Sequence, residues 1–137
     1  MSMYCSVQTQ FKSAEALIAA LMESGQWQAS QIEVHEVPQN LYGYKGDMRE
    51  QTAHIIIRRQ NVGGSSNDLG FLKKEDGTYE AIVSQFDKRK YNDSWMAGLK
   101  GNYAFHVIRQ QQERRGRSVR RERLPNGRQR VLVGGYR

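Results

Sequence analysis

Apolar and polar positions along the chain follow two periods, and the switches between them divide it into elements. Residues 4–11 alternate loosely, with Val7 and Thr9 at β-branched positions, and read as a strand. Ser13 then stands as an N-cap before a run of good helix formers in which Leu17, Ile18, Leu21 and Met22 share one face, and Gly25 offers a left-handed end. Ile32, Val34 and Val37 mark a second strand that Pro38 is expected to end. Residues 39–50 read as a polar loop carrying Tyr42, Gly43, Tyr44 and Gly46. Residues 54–59 are a β-branched run expected as a central strand, and the glycines and serines of 61–67 read as a flexible connection.

The second half is punctuated by tighter turns. Asp76-Gly77 separates 69–74 from 78–84 and predicts a hairpin, because this dipeptide tolerates the positive φ values of tight turns. Leu69 and Phe71, and Tyr79, Ala81 and Val83, then face the core. Residues 92–94 are capping residues for a helix over 95–115, with Met96, Leu99, Tyr103, Val107 and Ile108 in one stripe. Gly98 and Gly101 weaken its start by about 1 kcal/mol each relative to alanine, which favours a start nearer Asn102. Gly116 ends it, and Pro125-Asn126-Gly127 turns a second hairpin over 118–124 and 128–133. The order is βαββββαββ: an α+β fold, a single domain over 1–137, with a mainly antiparallel sheet of five to seven strands covered by two helices.

Charge changes this picture at one end. Between residues 109 and 137 there are ten arginines and two acids, whereas residues 1–108 carry eleven basic and twelve acidic groups. A patch this one-sided implies an anionic macromolecular partner, protein or nucleic acid. The candidate contacts are Arg114, Arg115, Arg117, Arg120, Arg121, Arg123, Arg128 and Arg130, of which Arg120, Arg121, Arg123, Arg128 and Arg130 are expected to face mainly solvent. Arginine suits bidentate contact with carboxylate or phosphate. Tyr136 is the one aromatic among them, so a base-stacking platform is not evident.

Other chemistry is sparse. Apolar runs such as 55–57 fall far short of a bilayer span, and residues 1–10 lack a signal peptide's basic start and apolar stretch, so a cytoplasmic protein is expected. Cys5 is the sole cysteine, which rules out an intrachain disulfide and suits a small packed hydrophobe. His35, His54 and His106 show no paired ligand spacing, so neither a metal nor another cofactor is indicated. Gly63-Gly64-Ser65-Ser66 has no P-loop lysine and precedes a strand, so it reads as a connecting loop. No catalytic residues are assigned, since neither a nucleophile with its base nor a facing carboxylate pair is readable.

Several motifs in this order carry a family likeness: the strand ending Gln8-Thr9, the helix spanning 17–21, Tyr42-Gly43-Tyr44-Lys45-Gly46, Ile55-Ile56-Ile57-Arg58, Asp68-Leu69-Gly70-Phe71 and Asp76-Gly77-Thr78-Tyr79-Glu80. Tyr103-Ala104, His106, Gly116, Glu122 and the final hairpin complete it. The chain resembles the hypothetical plastid open-reading-frame thirty-five family of plastids and cyanobacteria. Met3 and Tyr4 stand where that family commonly has histidine and phenylalanine. The resemblance implies the fold and a plastid, cyanobacterial or related origin, with the plastid stroma as the location if the protein is organellar. It also marks His106. Three readings therefore stand: an adaptor docking through its arginines, a nucleic-acid accessory protein using the same residues on phosphates, and a small enzyme with a site near His106, Tyr42 and Tyr44.

Overall fold

The hydrogen-bonded sheet is built outward from the Asp76-Gly77 turn. A computed structural model describes residues 2–136; Met1, Arg137 and the side chain of Tyr136 lie outside the described parts. Gly77 takes φ 86°, and Lys74 and Thr78 close the turn between β4 (Leu69–Lys73) and β5 (Tyr79–Ser84). β3 (Met48–Ile57) pairs with β4, and β2 (Ile32–Tyr42) pairs with β3. β1 (Tyr4–Gln8) lies outside β5, giving an antiparallel order β1-β5-β4-β3-β2. The expected α+β architecture and element order hold. The strands divide into this five-stranded sheet and a separate two-stranded ribbon, β6 (Arg117–Arg123) with β7 (Gln129–Tyr136).

Two long helices cover one face. α1 (Ala14–Ser24) is capped by Ser13, whose side-chain oxygen accepts from Ala16 N, and it buries Leu17 and Leu21. The left-handed residue beyond it is Gln26 (φ 54°); Gly25 remains at φ −99°. α3 (Asp93–Arg114) starts at its Asn92 cap and runs through both glycines, because packing against α1 and the ribbon outweighs their intrinsic cost. One short helix, α2 (Arg59–Val62), takes the last residue of the strand expected over 54–59 and runs into the stretch expected to be flexible, and Ser66 and Asn67 beyond it are buried.

The main core joins Leu17, Leu21, Ile55, Ile57, Phe71 and Val83, with Trp27 stacked on Tyr91 at one side and Trp95 edge-on to both. A smaller cluster of Leu41, Ala53, Ile56 and Ile82 is formed separately. Gly70 makes it possible: a Cβ there would lie 2.6 Å from the Ala53 Cβ and 3.0 Å from Leu41 Cδ2.

Two expectations about this region fail. Pro38 does not end β2, which continues to Tyr42. It lies between Val34 and Gln39, where the register with β3 shifts, and on an edge strand, where a missing N–H is tolerated. Most of 39–50 is likewise strand, leaving a turn of residues 43–47 closed by Gly43 N to Asp47 O. His54, beside the register shift, accepts a 3.0 Å bond from the backbone N–H of Lys73 through Nδ1. Burial, then nearby Lys73, pushes its pKa down, consistent with that neutral acceptor role.

A candidate anionic-partner surface

The ribbon is anchored by its inward side chains. Gly116, at φ 77°, turns the chain from α3 into β6, which packs back along the helix. Arg121 is the main anchor. Its side chain is only 14% exposed, its guanidinium lies 3.8 Å from the Phe105 ring centroid, and it donates to Asn102 Oδ1 at 2.9 Å and to Glu23 at 2.9 Å. This corrects the expectation that it faces solvent. A guanidinium satisfies an inward position when its plane covers an aromatic ring and its edge meets acceptors.

Glu23 on α1 is the common acceptor. His106 donates to it from Nε2 at 2.9 Å, and Arg123 reaches it at 3.4 Å. Burial raises the Glu23 pKa, but its bonds to Arg121 and His106 outweigh that and hold it below the ordinary value. His106 Nδ1 accepts from Arg109 Nε at 3.2 Å, and Arg109 also pairs with Glu113 at 3.0 Å. Burial lowers the His106 pKa, with Glu23 opposing and Arg109 reinforcing the shift. His106 therefore joins two helices and, through Glu23, the ribbon.

Strand alternation sets the opposite face. With Arg121 inward, Arg120 and Glu122 point outward, and the register places Leu132 beside Arg120 and Arg130 beside Glu122. Arg130 pairs with Glu122 at 2.8 Å yet stays 60% exposed. Arg114 reaches Glu15 at 3.4 Å, with both side chains open to solvent, and Arg117 donates to Gln112. Arg115, Arg120 and Arg128 are exposed, and among the described residues none of the three has a carboxylate partner. A hollow lined by Ser118, Arg120, Leu132 and Val133 puts apolar surface beside the charge.

This division predicts different costs on one strand. Arg121→Gln should destabilise the protein by about 1–3 kcal/mol, the range for hydrogen bonds to charged groups together with their unpaired remnants. Arg120→Gln should stay within about 0.5 kcal/mol. Chemical denaturation of both variants checks it, and equal effects would mean that Arg121 does not hold the ribbon.

Tyr42 and Tyr44 belong to a different network. Buried Asp68 accepts from Arg59 N through Oδ1 at 2.7 Å, and from Tyr42 N at 2.7 Å and Arg58 Nη1 at 2.8 Å through Oδ2. Its carbonyl accepts from Tyr4 Oη at 2.7 Å. Burial first, then nearby Asp68, raises the Tyr4 pKa well above the ordinary phenol range. Arg58 also grips Glu33 with two bonds of 2.8 and 2.9 Å. The Glu33 bond raises its pKa against burial, with Asp68 adding to the rise. Asn67 accepts from Tyr44 N through Oδ1 and donates its own N–H to Asp87 Oδ2.

The two tyrosines thus stand at a hairpin end that Asp68 and Asn67 tie to the start of β4. Among the described residues they share no hydrogen-bond or ion-pair partner with His106. Asp68, Asn67, Asp87, Arg58 and Glu33 were missed as a set by sequence reasoning. Their signal was the polar Asn67-Asp68 pair against a buried apolar strand, where acids require partners. Among the described residues no three His, Cys, Asp or Glu side chains are grouped to hold a metal ion, and no helix is long and apolar enough to cross a membrane.

Comparison with curated proteins and with solved structures finds no match. A family model described as "Protein of unknown function (DUF1257)" matches residues 28–132, from just before β2 into β7. That span includes the Asp68 network, α3 and most of the arginine ribbon, and the chain belongs to the DUF1257 family.

Proposed function

We propose that this protein is a non-enzymatic adaptor, a single domain that docks onto an acidic protein surface through the outer side of its C-terminal ribbon. The observation that carries the reading is the division of the arginines. Arg121 is consumed internally, while Arg115, Arg120 and Arg128 are exposed without carboxylate partners among the described residues. Leu132, across from Arg120 on the same outer face, adds apolar contact area. Mixed cationic and apolar surface suits an acidic protein face better than a phosphate backbone, which rewards charge alone. The plastid or cyanobacterial likeness suggests the partner is met in a cyanobacterial cytosol or a plastid stroma.

The test is capture from host lysate, with and without nuclease, by the wild type and by the triple variant Arg115→Gln, Arg120→Gln, Arg128→Gln. Nuclease-resistant capture that the triple variant loses, with its melting temperature unchanged, supports the adaptor. Nuclease-sensitive capture, together with a log–log salt slope on duplex DNA that becomes shallower by up to about 3 in the variant, would replace it with the nucleic-acid reading. Identical capture by both proteins would remove the ribbon as the working surface.

A further inference from the structure

The two edges of the main sheet are guarded unequally. β2 carries Glu33, His35, Glu36 and Pro38 and has an irregular register with β3, all features that discourage a further strand from pairing. β1, at the other edge, reads Tyr-Cys-Ser-Val-Gln, without charge or proline, and its register with β5 runs without a shift. Beside it an open groove of about 720 Å³ runs between residues 7–11 and α3, with Val7, Phe11, Met96, Ala104, Val107 and Ile108 among its walls. Val107 and Ile108, expected in the core stripe, are only partly buried and line this groove. An unprotected edge and an apolar groove thus adjoin.

We propose that the occupant is a second copy of this chain. Two β1 strands pair antiparallel across a two-fold axis, joining two five-stranded sheets into one of ten strands, with the α3 groove faces closing over the seam. An antiparallel pair of identical strands meets the self-complementarity of a two-fold interface without further adjustment. The charges are compatible with it. Asp93 and Lys100 both border the groove, and a two-fold that reverses α3 turns the acidic start of each helix toward the basic stretch of the other. The ten arginines that make the chain strongly cationic all follow residue 108 and leave residues 1–108 close to neutral, so the seam uses the part of the chain with least like-charge repulsion.

Sedimentation of the full chain over a wide concentration range tests the association, and Cys5, the sole cysteine, reports its geometry. Pairing centred on β1 brings the two Cys5 residues within about 10 Å, in reach of a short bis-maleimide. The expected result is a dimer that cross-links through Cys5. Ala104→Glu, on the exposed groove wall, should weaken association about tenfold or more by setting unpaired carboxylates into the seam, and Ala97→Lys is a second variant should the first fold poorly. A monomer at every concentration overturns the proposal. A dimer that gives no Cys5 cross-link and survives both substitutions overturns it equally, because it would use another face or another strand.

Discussion

Replacing Asp68 by alanine should destabilise the protein by about 3–5 kcal/mol, the cost of removing one member of a buried, hydrogen-bonded charge pair. The carboxylate is 1% exposed and serves three donors on two segments: Tyr42 N at the end of β2, and Arg58 Nη1 and Arg59 N at the start of α2. Alanine leaves both backbone N–H groups without this acceptor and removes one of the two carboxylates that hold Arg58. Asp68→Asn separates shape from charge. It preserves volume and one acceptor oxygen but presents an amide NH₂ to donors, so an intermediate loss is expected. Urea denaturation of the three proteins checks the order. A loss below about 1 kcal/mol for alanine would show that water replaces the carboxylate easily, and the hairpin end would then be held by its strand pairing alone.

That network was hidden in the sequence for a reason that also explains the other misreadings. Local signals were legible where one residue settles a local conformation. Ser13 and Asn92 cap their helices, and Gly77 and Gly127 take φ 86° and 83° in the two predicted turns. They were not legible where a distant partner reverses the local preference. Pro38 reads as a terminator until its strand is known to be an edge. Residues 39–42 and 48–50 read as loop beside the true turn at 43–47 because nothing nearby shows that Asp68 and Asn67 seize Tyr42 N and Tyr44 N from 26 and 23 residues away. Arg121, flanked by Arg120 and Glu122, reads as solvent-facing, yet it is inward because Phe105 and Glu23 await it from two helices.

The helix α3 shows the same limit in its packing. Its apolar period marks Met96, Leu99, Tyr103, Val107 and Ile108, as though one face met one sheet. The buried positions are Leu99, Asn102 and Phe105, because the helix has a second covered side toward α1 and the ribbon. A hydrophobic period finds the first side. It cannot find the second, where an amide bonded to Ser24 and a ring under a guanidinium replace aliphatic contact.

Core substitutions test the face assignments that were legible. Phe71→Ala should cost about 3–5 kcal/mol, since the ring is fully buried, lies across from Ile55 on one neighbour and Ala81 on the other, and leaves a cavity that two strands and two helices cannot close without losing register. Val37→Ala is the matched control on the exposed edge strand. At 68% exposure it removes little buried area and should change stability by less than about 0.5 kcal/mol. The contrast is informative because strand pairing alone predicts similar costs for the two, both being losses from a β position. Only a core on the helix side of the sheet makes them differ severalfold. Equal denaturation midpoints would place Phe71 outside that core, and α1 and α3 would then lack the apolar platform that positions Glu23, Asn102 and Phe105 to receive the ribbon.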